Sequence, residues 1–148
     1  MSVALSCTAL AAAELPELGR VLDAAALPAD DLALPGRCFF RFTALGETIG
    51  FAGFERHGDN ALLRSIVVLP AQRGRGFGRA MVGRLLELAR TSGVRDAYLL
   101  TSTARAFFER VGFTLVDRAA APAAIRATEQ AARLCPASAT LLHRRITE

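Results

Sequence analysis

The chemistry-bearing residues of this chain gather in one stretch, Pro70-Ala71-Gln72-Arg73-Gly74-Arg75-Gly76-Phe77-Gly78-Arg79. It joins an apolar, strand-like run to a segment with helical spacing. Glycines at 74, 76 and 78 let backbone approach a ligand closely. The first N–H groups of the helix that follows have no partner within it and sit at the positive end of its dipole. Arg73, Arg75 and Arg79 add guanidinium groups, whose geometry suits phosphate oxygens. Together they describe an anion site whose natural occupant is a pyrophosphate. The dinucleotide fingerprint needs GxGxxG after the first strand of a βαβ unit, and this loop reads GxGxG after a meander, so a nicotinamide dinucleotide is excluded.

Composition narrows the chemistry further. All 18 basic residues are arginine, which removes the phosphate-binding lysine loop, Schiff-base lysines and pyridoxal phosphate. A net charge of +4 favours an anionic partner. The arginines alternate with acids and do not interleave with aromatics, so the anion is a phosphorylated small molecule and not nucleic acid. Cys7, Cys38 and Cys135 lie far apart and share no ligand spacing with His57 or His143, so no metal site is expected. No apolar run reaches the length of a membrane span, and no Lys or Arg precedes Arg20. The expected protein is cytoplasmic and free of membrane contact. Its 148 residues fit one domain, 1–148.

Those residues need elements to position them. Ser2–Cys7 reads as a strand and Glu14–Leu27 as a helix with Pro16 in its first turn, followed by one further helical turn at Asp30–Leu34. Arg37–Thr43, Thr48–Arg56 and Leu62–Leu69 read as three strands of an antiparallel meander, the last apolar enough to be covered on both faces. Gly76–Ala89 has a helix's apolar stripe. Ala97–Thr101 follows that crossover and should run parallel to the strand before it. Thr103–Val111 reads as a short helix ended by Gly112, Phe113–Val116 as a strand, Ala119–Leu134 as helical after Pro122, and Ala139–Ile146 as the last strand. The fold class is α+β, a mixed and mostly antiparallel sheet of about 6–7 strands flanked by helices.

The order meander, glycine loop, helix, strand, short helix resembles the GNAT N-acetyltransferase superfamily. Arg73-Gly74-Arg75-Gly76-Phe77-Gly78 resembles its acyl-CoA loop, and Ala104-x-x-Phe107-Phe108-Glu109-x-x-Gly112-Phe113 resembles its A-x-x-[FY]-[FY]-x-x-x-G-F element. The likeness spans nearly the whole chain. Three further stretches are similar to the small acetyltransferases of bacterial arsenic-resistance operons and to the acetyltransferase domain of N-acetylglutamate synthases. They are Tyr98-Leu99-Leu100-Thr101-Ser102-Thr103-Ala104, Pro122-x-x-Ile125-x-x-Thr128 and Leu134-Cys135-Pro136-x-Ser138-Ala139.

The resemblance implies acetyl transfer from acetyl-CoA, as co-substrate, to an amine. The acceptor would be a small molecule: an amino acid or a glutamate-like arsenical or phosphinic analogue. The family's fold splays one parallel strand pair and lays the pantetheine arm between the two strands. The backbone of Ile66, Val67 and Val68 would pair with that arm, with an N–H of Val67 or Val68 polarising the thioester carbonyl. The loop, Arg73 to Arg79, would hold the pyrophosphate. Thr101 and Ser102 fall where the family places polar contacts, and Phe107 is a core residue that also flanks the arm. The family's usual glutamate base and tyrosine acid are not filled: Arg64 and Ser65 occupy the strand, and Phe108 stands at the tyrosine position. Glu55 is the nearest alternative base or a surface acid, while Ser102, Thr103, Cys135 or water would protonate the thiolate. Arg64 either binds an acceptor carboxylate or makes a structural ion pair, and Arg41, Arg118 and Arg126 are alternatives for the carboxylate. Ser65, Thr103 and Ser138 complete the acceptor-side candidates, Ser138 within a Cys-Pro pocket wall or a turn. A homodimer is compatible with the family. A non-catalytic acyl-CoA-binding domain and a protein N-acetyltransferase are the rival functions.

Overall fold

In the computed structural model, residues 4–128, 131–132 and 139–146 are described. The meander forms as its alternation of apolar residues and short turns requires. Strand β2 (Arg37–Ala44) pairs antiparallel with β3 (Glu47–His57), and β3 with β4 (Asn60–Val68). A short β1 (Ser6–Ala9) adds to the free edge of β2, a few residues later than the sequence suggests. Helix α1 (Leu15–Ala24) is entered through a 3₁₀ turn at Ala12–Glu14, and Asp30–Leu34 forms a turn without becoming helical.

After the glycine loop comes α2 (Phe77–Thr91), then β5 (Asp96–Thr101), parallel to β4 as a crossover dictates. Helix α3 (Arg105–Arg110) leads into β6 (Thr114–Leu115), and β7 (Thr140–Arg145) inserts between β5 and β6. The seven described strands run β1-β2-β3-β4-β5-β7-β6, antiparallel everywhere except β4/β5. In the alanine-rich segment, expected to be helical over Ala119–Leu134, the described residues form a 3₁₀ turn at Arg118–Ala120 and then, after Pro122, α4 (Ala123–Arg126), with Ala121 and Ile125 buried in an apolar cluster; 129–130 and 133–134 lie outside the described residues.

Alternation along the strands gives the sheet two faces. Phe40, Phe42, Ala52, Phe54, Leu63, Val68 and Leu99 pack under α2 and α3. Phe39, Phe51 and Val67 pack under α1. Leu62, Tyr98 and Leu141 lie on the same side as α1 but meet Ile125 of α4. Strand β4 is covered on both faces, as its continuous apolar run implies.

Strand β3 presses closely on β4 beside the glycine loop. A Cβ at Gly50 would overlap the Val67 carbonyl and touch Met81 of α2. Gly50→Ala is therefore expected to lower the unfolding free energy by about 1–3 kcal/mol in urea denaturation. A wild-type midpoint would show that the strand pair yields freely.

Candidate active site

The site begins where two neighbouring strands part. Parallel pairing of β4 with β5 stops after three positions, Asn60/Asp96, Ala61/Ala97 and Leu62/Tyr98. Beyond them β4 stays on β3 and β5 stays on β7, so their facing edges open into a cleft. Within it, β4 carries a bulge. Arg64 faces Gly53 and Val67 faces Phe51, so Ser65 and Ile66 together oppose the single residue Ala52. Ser65 takes the left-handed conformation that this extra residue imposes, with φ of 57°.

The bulge fixes which peptide groups look into the cleft. Leu69 N–H donates to the Ile49 carbonyl at 2.8 Å, so its backbone faces β3. Antiparallel alternation then turns Val67 toward β3 as well, and turns Ile66 and Val68 toward the cleft. The Val68 carbonyl there accepts from Arg73 Nε at 3.2 Å, which ties the loop to the strand. Of the three residues expected to present backbone to an arm, Ile66 and Val68 turn their peptide groups toward the cleft. Val67 is the correction, because its peptide groups belong to the β3 ladder.

At the cleft's mouth the loop has the geometry its glycines suggest. Gly74 and Gly76 have φ of 82° and 78°, conformations that side chains resist. Gly76 is the N-cap of α2 and no side chain caps that helix end, so the N–H groups of its first turn are left for a ligand. Arg73, Arg75 and Arg79 are exposed around it. Phe77 and Gly78 begin the helix, and Phe107 of α3 lies within van der Waals reach of any Cβ placed on Gly78. Phe107 thus packs beside the loop, edge-to-face with Phe108 at 5.0 Å. Phe108 is buried and also meets Phe113, so the tyrosine position holds a core aromatic with no proton to give.

On the cleft's far edge, Thr101 ends β5. Its Oγ1 accepts from the Ala104 N–H at 3.0 Å, capping the entry to α3. Ser102 and Thr103 are exposed on the bend between. Cys135 and Ser138 lie outside the described residues.

The acceptor-side candidates fall elsewhere. Arg64 projects to the α1 face, where its side chain is fully buried between two carboxylates. It donates to Asp31 at 2.5 and 2.6 Å and to Glu55 Oε2 at 2.7 Å, and its Nε reaches Ser65 Oγ at 3.3 Å. Arg37 joins from β2, 3.0 Å from Asp31 and 3.5 Å from Glu55, and His57 Nε2 lies 3.2 Å from the same Glu55 oxygen. Burial alone would push the Asp31 carboxyl up; hydrogen bonds and charge from Arg64, then Arg37, outweigh it and hold it below the ordinary value. Burial likewise works against the Arg64 charge, and Asp31 and Glu55 reverse that and raise it. Arg64 is therefore a structural ion pair and not the receptor of an acceptor carboxylate, and Glu55, 1% exposed, is its counter-ion and not a free base. Ser65 is turned into the same network. Residue types on one strand do not reveal that a loop residue 33 positions earlier closes over Arg64.

A cavity of about 240 Å³ lies on the α4 side, lined by Arg118, Ala119, Ile125, Arg126, Ala131 and Leu141. Leu141 pairs with Leu100, one residue before the end of β5, so the cavity adjoins the strand bordering the cleft. Arg118 donates to the Ala131 and Ala139 carbonyls. Arg126 donates only its Nε, to Ala121, and its two terminal nitrogens meet no carboxylate among the described residues. Cys7 and Cys38 are free thiols, and among the described residues no cluster suits a metal ion.

Comparison with known proteins agrees with this arrangement. Over 74 residues the chain is 35% identical to a ribosomal protein bS18-alanine N-acetyltransferase of Haemophilus influenzae, covering 48% of this chain and 51% of that one. Over 59 residues it is 39% identical to an amino-acid acetyltransferase of Mycobacterium tuberculosis, covering 40% and 33%. It thus spans about half the length of the first relative and a third of the second. Its fold matches the crystal structure of N-acetylglutamate synthase from Neisseria gonorrhoeae complexed with coenzyme A and N-acetyl-glutamate. The TM-score is 0.80 at 15% identity, over 100% of this chain and 36% of that one. The sequence profile of the acetyltransferase (GNAT) domain matches residues 35–115, more than half of the chain and the span that holds the meander, the cleft, the glycine loop and α3. By that match, the chain belongs to the GNAT acetyltransferase family.

Proposed function

We propose that the protein transfers the acetyl group of acetyl-CoA to the primary amine of an amino acid or of a glutamate-like arsenical or phosphinic analogue. The observation that carries the reading is the bulged edge of β4. Two peptide N–H groups face a cleft, at the foot of a glycine loop able to take a diphosphate. Acetyl-CoA would lie with its diphosphate on Arg73, Arg75 and the first turn of α2, and its arm along Ile66 and Val68 beside Phe107. The acceptor's neutral amine would attack the thioester carbonyl carbon. The carbonyl oxygen gains negative charge next to an N–H of Ile66 or Val68, which stabilises it. Collapse breaks the C–S bond, the new amide sheds its extra proton to water, and the thiolate takes one from water or from Ser102 or Thr103 on the bend. With no tyrosine at 108 and Glu55 locked to Arg64, water carries the protons, which costs about 10²–10⁴-fold against a placed acid and base.

Two observations favour a carboxylate-bearing acceptor. The terminal guanidinium nitrogens of Arg126, which lines the cavity beside Leu141, meet no carboxylate among the described residues, and a guanidinium fork suits a carboxylate. One relative is named for acetylating amino acids. The other is named for an alanine of ribosomal protein bS18, which favours protein acetylation as the second reading.

Calorimetric titration with acetyl-CoA, followed by a free-thiol assay over amino acids, glutamate analogues and an alanine-initiated peptide, tests the proposal. Binding and thiol release with an amino acid or analogue are expected. Arg126→Ala should then raise KM about tenfold or more while kcat stays within a few-fold, the signature of lost ground-state binding. Release with the peptide alone favours the second reading. Binding without turnover on any amine makes the domain a non-catalytic acyl-CoA binder, and no binding overturns the proposal.

A further inference from the structure

A bulge whose first residue is left-handed ordinarily has glycine there, which meets no steric penalty in that conformation. In β4 that residue is Ser65, with φ of 57° and 7% exposure. The other described non-glycine residues with positive φ, Ala26 and Leu45, lie in turns; Ser65 holds the conformation inside the sheet. Strain of this kind persists only where the surroundings over-determine it. Here the neighbour does so. Arg64 cannot move: Asp31 takes both of its terminal nitrogens, Glu55 Oε2 accepts at 2.7 Å, and the Phe39 ring centroid lies 5.4 Å from its Cζ. Its Nε donates to Ser65 Oγ at 3.3 Å. The serine hydroxyl is thus tied to a group that four others clamp.

The place of Ser65 in the chain gives this tie a chemical consequence. The peptide unit between Ser65 and Ile66 carries the Ile66 N–H, which faces the cleft, so the direction of that donor follows from the Ser65 dihedrals. Glycine would form the bulge with less strain, but it would leave the same peptide freer to swing. A donor aimed in advance needs no reorganisation when charge develops on the oxygen it meets, and that is what separates transition-state from ground-state binding. Resting on the acetyl-transfer reading, we propose that Ser65, held by Arg64, is a positioning residue for the reaction: it fixes the Ser65–Ile66 peptide so that the Ile66 N–H points at the thioester oxygen. Asp31, on the loop after α1, then acts on the reacting bond through Arg64 and Ser65 without touching it.

Infrared difference spectroscopy of acetyl-CoA labelled with ¹³C at its carbonyl tests the proposal, and it needs no acceptor amine. In the wild type the carbonyl band of the bound thioester should fall below its position in free acetyl-CoA, because the N–H polarises it. In Ser65→Gly the fold should hold, with Tm near wild type, since glycine accepts the left-handed conformation. Acetyl-CoA should bind within a few-fold of wild type, because the glycine loop is untouched. The band should nevertheless return toward its free position and broaden, and kcat should fall about tenfold or more with the acceptor's KM unmoved. Ser65→Ala keeps the strain and loses the hydroxyl, so it should lower Tm as well as reverse the band shift. A purely structural serine would lower Tm in the alanine variant and leave the band and kcat of the glycine variant at wild-type values, and that result overturns the proposal. So does a wild-type band that binding does not move. Failure of the wild type to bind acetyl-CoA overturns the acetyl-transfer reading, and the proposal with it.

Discussion

Arg64→Met is expected to lower the unfolding free energy by about 3–5 kcal/mol, because it leaves the Asp31 and Glu55 carboxylates buried with only Arg37 between them. Denaturant titration and Tm report it directly. If Arg64 instead received an acceptor's carboxylate, the same change would raise KM and leave stability near wild type, so the two roles separate cleanly. The triple change Arg64→Met, Asp31→Leu, Glu55→Leu should recover part of the loss, because it removes the stranded charges along with their partner. The same network sets an acid limit. Asp31 is held below its ordinary value in the folded state, so the stability it contributes is fully present above the unfolded carboxyl's pKa of about 3.9. It is lost as pH falls from there through the lowered folded value. Asp31→Asn should flatten this part of the stability profile, and a wild-type acid profile in that variant would refute the assignment.

The second large effect concerns the loop. Arg73→Glu combined with Arg75→Glu is expected to weaken acetyl-CoA binding at least about 100-fold. Each charge-assisted hydrogen bond to a diphosphate is worth about 1.5–3 kcal/mol, and the reversal adds repulsion. Both side chains are exposed, so Tm should stay near wild type. The remaining affinity should also depend less on salt, since fewer cations meet the ligand. Affinity within about threefold of wild type would show that the loop is only a helix cap.

Much of this was legible in the sequence because it is local. Arg73-Gly74-Arg75-Gly76-Phe77-Gly78 specifies a loop and a helix start in consecutive residues, and the structure gives Gly74 and Gly76 the positive φ that such a turn requires. Alternating apolar runs with short turns specify the meander for the same reason. The alanine-rich stretch was legible in part: α4 begins after Pro122, while the cluster that Ala121 and Ile125 form with Leu62, Tyr98 and Leu141 joins residues far apart in the chain, which no local spacing announces.

The sequence by itself therefore determined the antiparallel meander, the parallel crossover and the glycine loop that opens α2, each written in neighbouring residues and their periodicity. Tertiary structure decided everything that depends on residues brought together from afar. A one-residue bulge at Ser65 chose Ile66 and Val68 over Val67 to face the cleft, since alternation along a strand reverses with each added position. Asp31, folded over from the loop after α1, turned Arg64 from a free cation into a buried ion pair, because a guanidinium without a counter-charge is too costly to bury. No spacing in the chain encodes these meetings; they follow from the path of the backbone through space.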